Sequence, residues 1–110
     1  MQNIDYQQMK DIQKRNAATI VNVLPAKAFE ETHIPGAINL PLEDADFIEH
    51  VRKVLDGKSA PVVVYCASSS CDASKKAAAK LAGAGFTNVM CYEGGAKEWN
   101  EKSNSARSAA

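Results

Sequence analysis

The chain has 110 residues, enough for one domain and too few for two ordinary ones. Its hydrophobic fraction of 45% can build one compact core, and its charged fraction of 24% is close to that of an average soluble protein. Lys+Arg and Asp+Glu number 13 each, so the formal net charge is zero, which argues against nucleic acid or an anionic membrane as the main partner, because both usually demand a basic excess.

The segment from Met1 to Asn16 is polar and has no apolar stretch of the secretory-signal kind. Tyr6, Met9 and Ile12 recur in it at helical spacing, which predicts a short amphipathic helix over Asp5 to Arg15. Thr19 to Val23 is β-branched and compact and reads as a strand. Pro25 suits the first position of a helix, predicted over Ala26 to Thr32 with Phe29 as its buried anchor. Ile34-Pro35-Gly36-Ala37 is a turn, and Ile38 to Leu40 a short strand stopped by Pro41. From Asp46 to Leu55, Phe47, Ile48, Val51, Val54 and Leu55 form the stripe of a helix with one buried face. His50 falls on its polar side, and Asp56-Gly57 ends it.

Val62-Val63-Val64-Tyr65 is apolar without alternation, as suits a central parallel strand covered on both faces. Asp72 to Ala82 is an alanine-rich helix whose small side, Ala73, Ala77, Ala78 and Leu81, can lie close to a sheet. Gly83 and Gly85 terminate it, Asn88 to Tyr92 is the next strand, and Glu93-Gly94-Gly95 turns into a final helix anchored by Trp99. Strand and helix alternate, which predicts an α/β domain with a mostly parallel sheet and helices on both faces, a three-layer arrangement. The expected division is one domain over residues 1–102 and a small, polar, flexible tail over 103–110. No apolar run approaches the roughly 20 residues of a membrane span, and a cytoplasmic location is the expectation.

The three cysteines, Cys66, Cys71 and Cys91, form no disulfide-framework pattern, and His33 and His50 lie far from any zinc-type spacing. No metal or cofactor is implied. Cys66 stands where the central strand should end and a helix should soon begin. In open α/β sheets ligands bind at such strand ends, and a helix N-terminus presents unpaired N–H groups and partial positive charge. A thiol in that field should lose its proton more readily, and the thiolate is the nucleophile. The same N–H groups can hold an anion or a persulfide sulfur. Ala67, Ser68, Ser69 and Ser70 are small enough to curl around that sulfur, although no glycine relieves the loop's backbone. The alternative is a buried structural cysteine at a strand end, with Asp72 serving only as a helix cap.

Three segments together resemble the rhodanese family: Ile20 to Pro25 with Phe29 and His33 to Pro41; Val62 to Cys66 with its loop, Ser74 to Ala78 and Leu81; and Gly85 to Val89 with Tyr92 to Gly95 and Trp99. The resemblance implies a rhodanese-like α/β fold, with Cys66 as the catalytic cysteine. It implies a substrate-binding loop formed by Ala67, Ser68, Ser69, Ser70, Cys71, Asp72 and Ala73. The implied chemistry is nucleophilic covalent catalysis: a small sulfur donor, thiosulfate or a persulfide, gives Cys66 a sulfane sulfur, and a thiol or cyanide removes it, with a protein acceptor as a further candidate partner. Ser74 matches the serine that follows the family loop, so the loop here is about two residues longer than the common one. Related phosphatases and arsenate reductases with longer loops need an arginine at the loop's end to bind a dianion. No arginine or lysine lies between Cys66 and Ser74, which argues against phosphatase chemistry and lowers the expected affinity for thiosulfate. Asn22 and Leu24 stand where an Asp and an Arg are common, a change expected to alter a structural polar pair.

Cys71 is open to two readings: a resolving thiol for a persulfide or sulfenic acid on Cys66, or a small residue in a tight loop. The first would give redox control or a thiol-linked release of sulfur; the rival to the enzyme is a non-catalytic module that binds a partner or senses redox state through the Cys66/Cys71 pair. Cys91 is expected in the core, His33 in a structural role in its turn, and Lys75 and Lys76 on a solvated helix face.

Overall fold

The computed structural model describes residues 2–109, with side chains as far as Ser103. Five strands form one parallel sheet: β1 (Gln2–Ile4), β2 (Thr19–Asn22), β3 (Ile38–Asn39), β4 (Val62–Tyr65) and β5 (Val89–Tyr92), in the order β1-β5-β4-β2-β3. Parallel neighbours need crossover connections, and four helices supply them: α1 (Tyr6–Arg15), α2 (Ala26–Glu31), α3 (Phe47–Val54) and α4 (Ala73–Gly83); a fifth, α5 (Gly95–Ala109), follows the last strand. None of the described helices is long and apolar enough to cross a membrane.

The central place of β4 follows from its composition. Val62, Val63, Val64 and Tyr65 are all fully buried, because helices cover both sheet faces and leave neither side of the pleat to solvent. Alternation along the strand then sorts the core in two. Val62, Val64 and Cys66 point to one side with Phe47, Val51 and Leu55 of the α3 region and Ala77, Ala78 and Leu81 of α4. Val63 and Tyr65 point to the other with Tyr6 and Met9 of α1 and Ala96 and Trp99 of α5. The Tyr6 and Trp99 rings meet at 5.6 Å and tie those two helices together.

Local capping agrees with the sequence at several points. Asp5 and Gln8 form a reciprocal capping box at the start of α1, each side chain bonding the other's main-chain N–H at 2.8 Å. Asn16 ends that helix in the left-handed region, which asparagine tolerates.

The structure departs from the expectations in five places. Strand β1 was not anticipated. It pairs with β5 through Gln2 and Met90, Asn3 and Cys91, and Ile4 and Tyr92. Phe29 is not a buried anchor, for α2 buries no residue. Instead its ring stacks on His33 at 4.0 Å, and the His33 ring nitrogen Nδ1 lies 2.9 Å from the Phe29 carbonyl. Pro25 stands one place before α2 rather than at its first position. Val54 falls off the buried stripe of α3 and is 44% exposed, while Leu55, just past the helix, turns in. The last helix does not stop near Trp99 but continues in its backbone to Ala109, so the predicted tail is helical there, and its side chains beyond Ser103 lie outside the described residues.

Where Asn22 and Leu24 depart from the common pair, a neutral network has formed. Asn22 is fully buried; its Nδ2 donates to the Tyr65 hydroxyl at 3.1 Å and its Oδ1 accepts from the Leu24 N–H at 2.9 Å. The same hydroxyl accepts the Ile34 N–H at 3.0 Å. Asn39 Nδ2 bonds the carbonyls of Asn22 and Leu24 at 3.2 and 2.8 Å. Amides thus fasten β2, β3, β4 and the Ile34 turn without a buried charge, which would be expensive to desolvate.

Candidate active site at the end of the central strand

Cys66 follows the last residue of β4 and is 1% exposed. The parity of the strand sends its side chain toward α4. Its Sγ lies 3.4 Å from both the Cys71 carbonyl, which can accept the S–H, and the Ser74 hydroxyl, which can donate to the thiolate. Ser74, in the first turn of α4, is itself 1% exposed. Cys91 reaches the same hydroxyl from β5 and is fully buried, as a core residue should be.

The loop from Cys66 to Ala73 folds back on itself. The Cys71 N–H bonds the Ser68 carbonyl at 3.0 Å, and the Ser68 and Ser70 hydroxyls are 2.9 Å apart. Asp72 occupies the cap position of α4, but its side chain makes no capping bond. The glycine-free loop needs no relief, because Asn16 is the one described non-glycine residue with positive φ and it lies elsewhere.

The loop is instead braced from outside. The first N–H groups of α5 donate to loop carbonyls, Ala96 to Cys66 at 2.9 Å and Lys97 to Ala67 at 2.8 Å. This approach places Gly95 (φ +66°) against the loop backbone, where a Cβ would collide with the Cys66 carbonyl and come within 2.9 Å of Ala67 C and Ser68 N. Sequence reasoning took Gly94-Gly95 for a turn and missed its part in the site. The double glycine before a helix was the available signal.

The electrostatics correct one expectation. α4 does turn N–H groups toward the thiols, Ser74 toward Cys66 and Ala73 toward Cys71. Burial nevertheless dominates at Cys66, and with its hydrogen bond to Cys71 pushes that thiol above its ordinary range, against the Ser74 hydroxyl and N–H. Cys71 goes the other way. Burial opposes its ionisation, but the bond from the Cys66 thiol and the N–H groups of Ala73 and Ala67 outweigh both that and the Asp72 charge. The more acidic thiol of the pair is therefore Cys71, which is only half-buried.

Two openings flank the loop. One of about 460 Å³ is lined by Ser68, Ser69 and Ser70 and by Gly94, Lys97, Glu98, Glu101 and Lys102. Another of about 230 Å³ runs along Ala67, Leu24, Ala28, Thr32, Ala96 and Asn100. Cys66 lines neither. Of the predicted loop residues, Cys71 meets the Cys66 thiol through its carbonyl, while Ala67, Ser69, Ser70 and Asp72 are exposed. His33 is engaged with Phe29, Lys75 pairs with Glu93 at 3.9 Å, and His50 pairs with Asp44 at 3.6 Å. Of the described His, Cys, Asp and Glu side chains, one cluster of three, Asp44, Asp46 and His50, lies close enough together to share an ion. It contains none of the cysteines.

Comparison with known proteins agrees with this geometry. The family model for the rhodanese-like domain matches residues 5–102. The thiosulfate sulfurtransferase GlpE of Pseudomonas putida (strain GB-1) is 36% identical over 94 residues, covering 84% of this chain and 79% of its own length. Among solved structures, the BH2092 protein from Bacillus halodurans superposes with a TM-score of 0.81 at 31% identity, over 93% of this chain and 73% of that one. The human single domain sulfurtransferase TSTD1 shares the fold, with a TM-score of 0.78 at 17% identity over 93% of this chain and 97% of its own. With the buried strand-end cysteine, its loop and the parallel sheet in place, the chain belongs to the rhodanese-like domain family.

Proposed function

We propose that the protein is a sulfurtransferase that carries sulfane sulfur as a persulfide on Cys66. The observation that carries the reading is the setting of Cys66. It is a nucleophile at the carboxyl end of the central strand, with the Ser74 hydroxyl and N–H beside its sulfur, in a chain similar to proteins named thiosulfate sulfurtransferase. The Cys66 thiolate attacks the sulfane sulfur of the donor. The donor's own S–S bond breaks, and its electron pair leaves with sulfite from thiosulfate or with a thiolate from a persulfide. An acceptor thiolate or cyanide then takes the terminal sulfur, and Cys66 departs as thiolate. Ala67 to Ala73 form the wall along which donor and acceptor approach. The absence of Arg or Lys in that stretch favours a singly charged persulfide donor over the thiosulfate dianion, which has no guanidinium fork to meet it. A reducing compartment such as the cytoplasm suits the three free thiols.

The test is mass spectrometry of the intact protein and its peptides after thiosulfate or a low-mass persulfide, followed by cyanide. One extra sulfur on the Cys66 peptide, removed by cyanide and absent in Cys66→Ser, is expected. Failure of both donors to leave a sulfur on any cysteine refutes the reading.

A second reading, a redox-sensing or binding module, draws on the contact between Cys66 and Cys71. It predicts that mild oxidant alone links the pair while neither sulfur donor is consumed.

A further inference from the structure

Cys71 has no task in the carrier cycle above, and its placement suits one. The loop turns back at Ser68 so that the Cys71 main chain lies over Cys66, whose thiol points at the Cys71 carbonyl 3.4 Å away. Both side chains belong to the same apolar cluster, yet Cys66 is 1% exposed and Cys71 is partly open to solvent. The N–H groups of Ala67 and Ala73 face the Cys71 sulfur and the Cys66 thiol reaches it. The loop thus carries a second thiol back to the first, in a chain with no loop cation to hold a dianion.

We propose that Cys71 discharges the Cys66 persulfide as sulfide. This rests on the carrier reading above. The Cys71 thiolate attacks Cys66 Sγ, the inner sulfur of the persulfide. The Cys66–Cys71 S–S bond forms, the bond from Sγ to the terminal sulfur breaks, and its electron pair leaves with that sulfur as hydrosulfide. The sulfane sulfur is reduced to sulfide and the two cysteines are oxidised to one disulfide. With thiosulfate as donor, one thiosulfate and two thiols become one sulfite, one hydrosulfide, one proton and one disulfide. Hydrosulfide is a weaker base than a cysteine thiolate and therefore the better leaving group. A dithiol reductant returns the pair to its starting state by thiol–disulfide exchange. The further activity is thus persulfide reduction to sulfide, with the sulfur carrier as its first half.

The experiment uses the full chain, reduced, freed of reductant and kept anaerobic. It is loaded with thiosulfate or, in a parallel arm, cysteine persulfide. Wild type is expected to release about one equivalent of sulfide per chain and to yield a Cys66–Cys71 linked peptide. Cys71→Ser is expected to release none and to accumulate the extra sulfur on Cys66, where cyanide removes it. Cys71→Ala serves as the second variant, and circular dichroism confirms the fold of each. A wild-type persulfide that persists without sulfide overturns the proposal. So does sulfide release from the Cys71 variants at the wild-type level, or transfer of the extra sulfur to Cys71 with no sulfide. Absence of any extra sulfur on Cys66 in folded Cys71 variants, from either donor, overturns the carrier reading itself and this one with it.

Discussion

Substitution of Gly95 by alanine tests how the loop is held. Gly95 has φ +66°, and a Cβ there meets backbone, not a side chain that can swing aside. The left-handed conformation costs a non-glycine residue about 1–2 kcal/mol. Relief of the collision requires the first turn of α5 to back away from the loop, which breaks the bonds from Ala96 to the Cys66 carbonyl and from Lys97 to the Ala67 carbonyl. Each such bond contributes roughly 0.5–1.5 kcal/mol. The expected total is about 2–5 kcal/mol, which lowers the melting temperature by roughly 10–20 °C for a domain of this size. Gly36 is the control: its φ of +91° is also unfavourable to alanine, but a Cβ there meets nothing within 4 Å, so Gly36→Ala keeps only the backbone strain, about 1–2 kcal/mol. Thermal unfolding measures both variants, and iodoacetamide labelling of Cys66 reports the loop. Gly95→Ala should melt well below Gly36→Ala and label faster at Cys66. Equal melting temperatures, or an unchanged labelling rate, would refute the claim that α5 clamps the loop through Gly95.

Three further outcomes are expected. Alkylation followed across pH should modify Cys71 at lower pH than Cys66, since burial raises the Cys66 thiol and its neighbours lower that of Cys71; Ser74→Ala should move the Cys66 midpoint higher still, because it removes a hydrogen bond that favours the thiolate. Asn22→Ala leaves the part-buried Leu24 N–H without its side-chain acceptor and removes one buried bond at Tyr65, at a cost of about 1–3 kcal/mol in urea unfolding. Tyr65, Tyr92, Cys66 and Cys91 are all held above their ordinary values, with burial the leading cause. Their folded forms therefore keep protons that the unfolded chain has already lost, and stability present below the ordinary thiol and phenol range falls as pH rises through it. Melting temperatures from pH 8 to 11 should decline, less steeply in Tyr92→Phe than in wild type.

How far these features were legible depended on the distance over which their causes act. The run Val62 to Tyr65 declared itself because four consecutive apolar residues have one economical use in such a domain, a strand covered on both faces. The alanine side of α4 was equally plain. Strand β1 was not, since Gln2 and Asn3 are polar and exposed and the strand exists only through its pairing with β5, some ninety residues away. Phe29 misled because an aromatic ring in a short helix was given a core to fill. α2 buries none of its residues fully, and the ring stacks on His33 instead. The strand-end position of Cys66 could be read from local pattern, but the acidity order of the two thiols could not. That order depends on how deeply the loop seats Cys66 and on which N–H groups face Cys71. Gly95 escaped for the same reason: its requirement is set by the backbone of residues 66–68, not by its own neighbours in sequence.

The phase of one strand decides the chemistry of the site. Because alternate residues face opposite sides, Tyr65 and Cys66 separate at the end of β4. Tyr65 goes to the α1/α5 side, where its hydroxyl accepts from Asn22 and Ile34 and locks the neighbouring strand and turn. Cys66 goes under α4, beside Ser74 and Cys91. A slip of one residue would bury the nucleophile in the packing around Trp99 and leave the polar network without its phenol. The same burial that raises the Cys66 thiol also bears on what an acceptor can meet. Cys66 is closed to solvent, and in the proposed carrier cycle an added sulfane sulfur would stand about 2 Å beyond Sγ along the S–S bond. In that proposed cycle the buried cysteine would be the anchor, and the terminal sulfur the part of the site presented for transfer.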